Sequence, residues 1–392
     1  MPNLKTGKDC CGCTACAAIC PKDAIEMRPD GLGFLYPKVD LNKCIECKLC
    51  EKVCAFNDEY DISDNFKEPE TWGVRLKEEQ EVMRSRSGGA FVAFSDWILN
   101  QGGVVYGVGF KEHFRVTHKR ATSKSQRDEF RGSKYVQSDL DGIFRNVRED
   151  LVSGLPVMFT GTPCQTSGLK SFIPKKLHSN LWIVDIVCHG VPSPKIWKDF
   201  LDYEEKKVGS KVVKVDFRNK RKFGWKAHKE TLTFENSEEL DSNAYTHLFY
   251  KHIMLRTSCN NCHFCNVHRP SDLTLADFWG WERTGSHIND DDKGLSLVLV
   301  NTPKGKRLFE EVCGQFDMIR ATIEQSMQGH LKEPTSPNPL RREFEKDYEK
   351  NGFEYVLKKY GNVGWRFKIR ITLNYTMSFP ERIVGKVIRI IK

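Results

Sequence analysis

The sequence lacks features that would place the protein in a membrane or outside the cell. No apolar run among its 392 residues approaches the length that a transmembrane helix requires. The opening residues, MPNLKTGKD, lack the apolar core of a signal peptide. We therefore expect a cytoplasmic protein of two or three domains. Because the cytoplasm keeps thiols reduced, the 15 cysteines are expected to bind metal rather than to form disulfides.

Two common cofactor signatures are also absent. The stretch YGVGFKEH (106–113) lacks the third glycine and the following helix of a dinucleotide fingerprint. No C-x3-C-x2-C run of the radical SAM type occurs, because neither Cys20 nor Cys54 is followed by another cysteine after two residues. The cysteines must therefore be explained by another pattern.

That pattern is a repeated cysteine run near the N-terminus. Both CCGCTACAAIC (10–20) and CIECKLCEKVC (44–54) contain the spacing C-x2-C-x2-C-x3-C, which is typical of bacterial ferredoxins with two 4Fe–4S clusters. In this arrangement the fourth cysteine of each run binds the other cluster. The first group is Cys10, Cys13, Cys16 and Cys54, and the second is Cys44, Cys47, Cys50 and Cys20.

Zinc bound by pairs of C-x2-C motifs is the alternative interpretation. It needs four thiolates for each ion and leaves the regular third and fourth cysteines unexplained. Cys11 lies outside the spacing and is interpreted as a bystander. Residues 1–60 are thus predicted to form an electron-transfer module, which needs a partner for its electrons in the rest of the chain.

The net charge of +9 would by itself suggest binding to nucleic acid. Each 4Fe–4S cluster with four thiolates contributes roughly −2, because its ligands bind deprotonated. Three such clusters would lower the balance to roughly +3, so the basic excess is explained as compensation for them. No nucleic-acid partner is therefore expected, whereas a ferredoxin or another redox protein is.

A second domain is predicted to begin after the polar segment 57–70. Ser87-Gly88-Gly89 precedes an apolar helical pattern, and the helix is followed by the buried strand pattern VVYGVGF (104–110). A serine–glycine loop at a helix N-terminus offers free amides and the positive end of the helix dipole to a phosphate. A plain turn is the alternative for this loop.

Four later segments accompany this loop in a fixed order. They are RGSKYVQSDL (131–140), VMFTGTPCQTSGLK (157–170), DIVCHGVPSPKIW (185–197) and CNNCHFCNVHRPSDLTLADFWG (259–280). Together with SGGAF (87–91), they resemble the coenzyme F420 hydrogenase/dehydrogenase beta-subunit family over about residues 5–345. The resemblance implies FAD and a third 4Fe–4S cluster. Some bacterial members are encoded among surface-polysaccharide genes, which makes a role in polysaccharide synthesis an expectation by analogy.

The resemblance also implies which residues hold the flavin. The predicted cofactor-binding residues are Ser87, Gly88, Gly89, Arg131, Ser133, Lys134, Tyr135, Gln137, Thr160 and Thr162. Lys134 has the right charge to neutralise an FAD phosphate or the reduced flavin ring, and it is predicted to be catalytic. A solvated surface lysine is the alternative for this position.

The third cluster has five candidate thiols. Spacing alone favours Cys259, Cys262 and Cys265 with one remote ligand. The family pattern implies a different set, Cys164, Cys188, Cys259 and Cys262, with Cys265 in reserve. His189 is predicted to be a catalytic residue that passes a proton near the flavin, the alternative being a hydrogen bond beside the cluster.

The C-terminal part, 321–392, is predicted to be a helical extension. Its last segment, FPERIVGKVIRIIK (379–392), has the pattern of a basic amphipathic helix. Packing on its own domain or a partner is favoured over contact with an anionic membrane surface.

The predicted fold is thus a ferredoxin module followed by a mixed α/β (α+β or α/β) flavin domain over 71–320 and the helical tail. The expected function is an iron–sulfur flavoprotein oxidoreductase that exchanges electrons with a small organic substrate. The resemblance leaves two alternatives open. They are a beta subunit that oxidises or reduces coenzyme F420 within a hydrogenase or dehydrogenase complex, and an electron-relay subunit without its own substrate.

Overall fold

Strands and helices alternate through the central part of the chain in this computed structural model, which describes residues 2–56 and 59–363. Among these residues the strands are β1 (Ile25–Pro29), β2 (Leu35–Val39), β3 (Glu70–Leu76), β4 (Val104–Lys111), β5 (Arg115–Ala121), β6 (Val157–Gly161), β7 (Leu181–Ile186), β8 (Val212–Asp216), β9 (Glu230–Phe234), β10 (Glu239–Ser242), β11 (Leu273–Asp277), β12 (Ser296–Val300) and β13 (Phe316–Ala321). The helices are α1 (Ala15–Ile19), α2 (Leu49–Lys52), α3 (Glu79–Arg84), α4 (Ala90–Asn100), α5 (Lys124–Arg127), α6 (Ile143–Val152), α7 (Pro163–Phe172), α8 (Pro194–Val208), α9 (Lys220–Phe223), α10 (Ala244–Tyr250), α11 (Pro303–Val312), α12 (Ile323–Ser326) and α13 (Arg341–Tyr360).

An eight-stranded mixed sheet forms the centre of the molecule, in the order β13-β3-β12-β11-β7-β6-β4-β5. Its four middle strands, β11, β7, β6 and β4, are parallel, and the outer strands pair antiparallel. In open sheets of this kind ligands bind beyond the carboxyl ends of the parallel strands. The fold is therefore a mixed α/β fold in which the ends of β6, β7 and β11 mark the place to look for a site.

Each face of the sheet has its own core. On one face, α4 and α11 pack on inward side chains that include Val105, Met158 and Val298. On the other face, α6 and α7 pack on Phe159 and Ile183. Strand residues such as these alternate between the two faces because successive side chains of a strand point to opposite sides.

The N-terminal module shares its core with the second face of the sheet. It contains the β1–β2 hairpin and the short helices α1 and α2. Its buried Cys13, Ala15 and Phe56 belong to the same apolar cluster as Phe144 and Leu169 of the sheet domain. The module is thus packed against the sheet domain and not only tethered to it.

The predicted linker is more ordered than its polar composition indicated. Tyr60 donates a hydrogen bond to the His268 carbonyl, and Lys170 donates one to the Asp61 carbonyl at 2.9 Å. Asn65 donates one to the Arg269 carbonyl at 2.8 Å. Polar side chains in this segment are used for long-range contacts, which composition does not reveal.

The predicted helical extension over 321–392 is only partly helical among the described residues, where it contains α12 and α13. Helix α13 bends at Gly352, which has φ of +76°, and it buries Phe344, Val356 and Leu357 against the cluster that contains α8. The predicted amphipathic helix at 379–392 lies outside the described residues and stays a prediction. No helix among the described residues has the length and apolar character to span a bilayer.

Candidate redox site

The second predicted group of thiols lies together at the surface. Cys20, Cys44, Cys47 and Cys50 line one small cavity beside the β1–β2 hairpin. Cys50 lies in the first turn of α2, which follows Lys48 in the left-handed conformation, with φ of +59°. Cys47 is exposed, so this group is open to solvent.

The first predicted group lies deeper. Burial raises the pKa of the Cys16 thiol, and the neighbouring charges of Cys13, Cys10 and Cys54 raise it further. The other three thiols of the group thus lie close enough to Cys16 to influence its charge. Cys13 packs against Gly168 of α7, where an added Cβ would lie 2.7 Å from the Cys13 Sγ. The group is thus in direct contact with the sheet domain.

All five candidates for the third cluster line one further cavity. Cys164 lies in the first turn of α7, Cys188 follows β7, and Cys259, Cys262 and Cys265 lie in the loop before β11. The two strand-end cysteines come from neighbouring parallel strands, β6 and β7, whose carboxyl ends meet at one edge of the sheet. The topology thus brings together thiols that are far apart in the sequence. Cys164 and Cys265, for example, are separated by 101 positions.

The five thiols of this set interact with one another, and Cys265 interacts with both Cys262 and Cys188. Burial raises the pKa of Cys188, and the charges of Cys259, Cys164 and Cys262 raise it further. Burial likewise raises the pKa of Cys259 to about 12, with the charges of Cys164 and Cys262 adding to it. Cys265 donates a hydrogen bond to the Cys262 thiolate. The choice of ligands stays a prediction, and the set that the resemblance implies is Cys164, Cys188, Cys259 and Cys262.

Among the described residues, no group of three or more His, Cys, Asp or Glu side chains is arranged to hold a single metal ion. A 4Fe–4S cluster has a different requirement, because its four thiolates bind four separate iron atoms. Each of the three places offers at least four thiols, and four thiolates are the donors that such a cluster needs.

A cavity of about 610 Å³ lies beyond the carboxyl ends of β6, β7 and β11. This volume is within the range of cofactor and substrate sites. The predicted residues that line it are Ser87, Gly89, Arg131, Ser133, Lys134, Tyr135, Thr160, Thr162 and His189. Gly88 and Gln137 are the two predicted residues outside the lining.

One end of the cavity is suited to a phosphate. Gly89, with φ of +91°, is the N-cap of α4 and provides no side-chain cap, so the first amides of the helix have no side-chain acceptor. Three buried polar atoms on this wall also lack a hydrogen-bond partner: Ser85 Oγ, Arg86 Nε and Arg131 Nη1. Unpaired buried donors are costly unless a ligand satisfies them, so this wall fits an anionic group.

Gly88 supports this wall from behind. Its amide donates to Ser296 Oγ at 2.9 Å, and its carbonyl accepts from the Leu76 amide at 2.8 Å. A Cβ at this position would lie 2.1 Å from the Val74 carbonyl oxygen. Only glycine therefore allows the loop to lie this close to β3.

Lys134 and Gln137 have contacts that differ from the predicted ones. The Lys134 ammonium donates to the Glu129 carbonyl at 2.6 Å and to the Arg131 carbonyl at 2.9 Å, and so fixes the shape of the 129–134 loop. Burial lowers its pKa to about 7. Its predicted catalytic role stays a prediction. Gln137 points away from the cavity and donates to the Cys11 carbonyl, so the prediction that it contacts the cofactor does not agree with its position.

Thr160 and Thr162 flank the end of β6. The Thr160 hydroxyl donates to the Tyr106 carbonyl at 3.0 Å, which fixes its rotamer beside the cavity. Thr162 forms a capping box with Gln165 at the N-terminus of α7, with Pro163 in the first helical turn. The same box orients Cys164, whose Sγ is 3.3 Å from the Thr162 hydroxyl.

The opposite wall contains aromatic and charged residues that sequence reasoning largely missed. Trp279 stacks on the buried Trp225 with ring centroids 4.4 Å apart. Asp277 pairs with Arg218 at 2.6 Å and accepts a hydrogen bond from the Trp225 indole at 3.0 Å. Asp277 and Trp279 lie within the segment 259–280 that carries the family resemblance, whereas Arg218 and Trp225 lie in no motif and only the fold brings them here.

His189 is one link in a row of imidazoles. Its Nδ1 is 2.6 Å from His330 Nε2, and its Nε2 is 2.7 Å from His252 Nε2. Burial and the neighbouring His330, His252 and His228 lower the pKa of His189 to about 3. It is therefore neutral, and its predicted role in proton transfer stays a prediction.

Comparisons with known proteins agree with this geometry. The family described as the C terminus of the coenzyme F420 hydrogenase/dehydrogenase beta subunit matches residues 155–321, and the "4Fe-4S dicluster domain" matches residues 9–57.

Residues 155–321 of the chain are thus similar to the coenzyme F420 hydrogenase/dehydrogenase beta-subunit family.

Individual relatives are distant. A subunit of the F(420)H(2) dehydrogenase of Methanosarcina mazei is 24% identical over 323 residues, which cover 79% of this chain and 84% of that protein. The Rpo3 component of the DNA-directed RNA polymerase of Methanosarcina acetivorans is 32% identical over 107 residues, or 27% of this chain and 34% of that protein. A chain of the F420-reducing NiFe hydrogenase complex from Methanosarcina barkeri aligns with 16% identity and a TM-score of 0.47, over 77% of this chain and 94% of that one.

These matches support an iron–sulfur electron-transfer role of the oxidoreductase class, with a 4Fe–4S dicluster domain at residues 9–57. The predicted resemblance is thus confirmed, and so is the ferredoxin character of the N-terminal module. Flavin binding, the third cluster and the substrate remain proposals.

The contact between the family domain and the dicluster domain is expected to be intolerant of a methyl group. Alanine normally stabilises a helix relative to glycine by about 1 kcal/mol. Gly168→Ala in α7 would instead place a Cβ 2.7 Å from the Cys13 Sγ, and such overpacking costs about 1–3 kcal/mol. We expect a lower melting temperature and a lower iron content for this variant. Gly314→Ala, with no atom within 4 Å of its Cβ, is the control and should change neither. A Gly168→Ala protein as stable as wild type would contradict the described contact.

The cavity wall is also expected to be sensitive to acid through His118, which is 2% exposed. Its Nε2 donates to the Thr160 carbonyl at 2.9 Å, and its Nδ1 accepts from Ser138 at 3.0 Å. Burial lowers the pKa of His118 to about 4, so below pH 6.5 the unfolded chain binds a proton that the folded chain does not. Stability therefore falls as the pH drops from 6.5 towards 4.

We expect wild type to lose about 1 kcal/mol more stability than His118→Gln between pH 6.5 and 5.5. Anaerobic denaturant unfolding at each pH measures the free energy of unfolding of wild type and of His118→Gln. Because both proteins contain the same clusters, effects of acid on the clusters cancel when the two are compared. Equal losses would show that His118 titrates normally in the folded chain.

Proposed function

We propose that this chain transfers electrons between its ferredoxin module and a flavin in the large cavity, and that the flavin exchanges two electrons with coenzyme F420. One observation carries the proposal. The segment 188–191 lines both the cavity of the third thiol set and the large cavity, so the two sites share a wall. A cluster bound by Cys188 would therefore adjoin the cavity that has room for an organic cofactor, so electrons could pass directly between them.

The three thiol sets form an ordered route to this wall. The second set is open to solvent through Cys47 and is the natural entry point for electrons from a carrier protein. The first set contacts α7 through Cys13, and the third set begins in α7 with Cys164. Cys11, the thiol outside the ferredoxin spacing, hydrogen-bonds with both Cys13 and Cys164 and so bridges the last step.

The residues around the cavity fit FAD in type. The N-terminus of α4 with Arg86 and Arg131 would hold its phosphates, and the strand-end residues Thr160 and Thr162 would lie beside its body. Trp279 provides an apolar aromatic wall. When bound, a flavin converts one-electron transfer from clusters into two-electron exchange with an organic substrate.

Coenzyme F420 is favoured as the substrate by the relative that matches most of both chains, which is named as part of an F(420)H(2) dehydrogenase. That name also favours a subunit of a larger redox complex. A different small organic substrate at the same flavin is the second candidate, and a role in polysaccharide synthesis would fall under it. The size of the cavity argues against a relay subunit without its own ligand.

The cofactor content of anaerobically purified protein tests the first half of this proposal. About twelve iron atoms and one FAD for each chain are expected, from three clusters of four irons. About eight irons without flavin would contradict it, because only the dicluster domain would then be loaded.

A further inference from the structure

Arg256 is a buried charge without a carboxylate partner. Its side chain is fully buried, with no exposed surface. Among the described residues, no aspartate or glutamate lies within ion-pair distance of it. Burying a lone guanidinium costs several kcal/mol, so a native structure that contains one is expected to supply an anion.

The guanidinium of Arg256 hydrogen-bonds to the loop that contains Cys10 and to two residues outside that loop. Nε donates to the Cys10 carbonyl at 2.8 Å, and Nη2 lies 3.7 Å from the Cys10 Sγ. Nη2 also donates to the Leu35 carbonyl, and Nη1 donates to Gln137 at 2.9 Å. The absence of a side chain at Gly12 makes room for it, since a Cβ there would lie 2.8 Å from Nη1.

Arg256 also borders the third thiol set. It lines the same cavity as Cys164, Cys188 and Cys259. Its carbonyl accepts a hydrogen bond from the Cys259 amide at 3.0 Å. The same positive charge therefore lies between two sets of thiolates that belong to different parts of the chain.

We propose that Arg256 is a shared counter-charge for the first and third clusters, and a positioning residue that raises both reduction potentials relative to that of the second cluster. The inference rests on the proposed function in that it needs the third cluster. Cluster potentials depend on net charge, hydrogen bonds to sulfur and solvent exposure. A buried positive charge favours the reduced state, which is the more negative one, whereas water screens charges at the second set, where Cys47 is exposed.

The consequence is a direction for electron flow. Electrons that enter at the exposed second cluster move to the first and third clusters because reduction is more favourable there. Gln137 supports the arrangement, since it accepts from Arg256 and donates to the Cys11 carbonyl at 2.9 Å. This explains the buried position of Gln137, which the family motif alone assigned to the flavin.

The test compares three variants of the full chain with wild type. Arg256→Gln removes the charge, and Arg256→Lys keeps it while losing the planar fork. Arg145→Gln is the matched control, because Arg145 also donates to the ferredoxin loop, at the Ala18 carbonyl. Its side chain is 37% exposed and pairs with Asp23, so solvent and a carboxylate already screen its charge.

Redox titration of anaerobically purified protein, followed by electron paramagnetic resonance, measures each cluster. In Arg256→Gln, the equilibrium constants for reducing the first and third clusters should fall at least tenfold. For a one-electron couple, each tenfold change lowers the reduction potential by about 59 mV. The value for the second cluster should stay unchanged, and all three should stay near wild type in Arg145→Gln. Iron content is measured alongside, so that loss of a cluster is not mistaken for a shift.

Unchanged potentials in an iron-replete Arg256→Gln protein would overturn the inference and leave the proposed function intact. Wild type with fewer than twelve irons would instead count against the proposed function. If Arg256→Gln does not load iron, Arg256→Lys decides. If the equilibrium constants for reduction in Arg256→Lys equal those of wild type, the charge is what matters. If these constants fall tenfold or more although the charge is kept, the inference is overturned.

Discussion

Replacing Cys188 with alanine is expected to remove about four of twelve iron atoms from each chain while the flavin and the N-terminal clusters stay bound. Cys188 lies at the wall between the third thiol set and the large cavity. Electrons supplied to the ferredoxin module should then no longer reach the flavin, because the link between the two sites is lost. Iron analysis and anaerobic reduction of the flavin by a one-electron donor measure the two effects.

Cys265→Ala is the matched control for this prediction. Cys265 lines the same cavity and donates a hydrogen bond to Cys262, but the ligand set that the resemblance implies leaves it out. It should keep about twelve irons and normal flavin reduction. The ligand set would be wrong if Cys265→Ala lost four irons, or if Cys188→Ala kept all twelve.

Replacing Gly88 with alanine is expected to weaken flavin binding severely while leaving the iron content unchanged. The new Cβ would lie 2.1 Å from the Val74 carbonyl oxygen and 2.8 Å from the Ser296 amide nitrogen, both backbone atoms of the sheet. Neither can move without disturbing β3 or β12, so the Ser87–Gly89 loop must shift. Overpacking of about 1–3 kcal/mol corresponds to about 5- to 150-fold weaker binding if the bound state needs the original loop.

Flavin content and the affinity of the apoprotein for added FAD measure this effect. Gly314→Ala again serves as the control, because it adds a methyl group in open space. Full flavin retention by Gly88→Ala, with wild-type stability, would mean that the loop does not hold the cofactor. Loss of iron together with flavin would point to general misfolding and would count against a local role of the loop.

Spacing in the sequence was enough to predict the sites that short segments determine. The C-x2-C-x2-C-x3-C runs predict two groups of four thiols, and those of the second group, Cys20, Cys44, Cys47 and Cys50, line one cavity. The serine–glycine loop likewise precedes α4, as predicted. Local pattern succeeds here because the ligand geometry or the helix start is set within a few residues.

Contacts between distant segments were not predictable in the same way. Cys11 was interpreted as a bystander, yet it bridges Cys13 and Cys164, and this depends on how the module packs on α7. Arg256 has no motif around it, and its importance follows only from its burial beside Cys10. Lys134, which the resemblance assigned to the flavin, does line the cavity, and its ammonium also donates to two nearby backbone carbonyls.

The most direct test of the central claim is to mix anaerobically purified chain, loaded with iron and flavin, with reduced coenzyme F420 and to record the visible spectrum. We expect the clusters and the flavin to become reduced while the deazaflavin absorbance of oxidised F420 appears. Cys188→Ala should show reduction of the flavin without reduction of the N-terminal clusters. A wild-type chain that stays oxidised with reduced F420, although dithionite reduces it, would contradict the account.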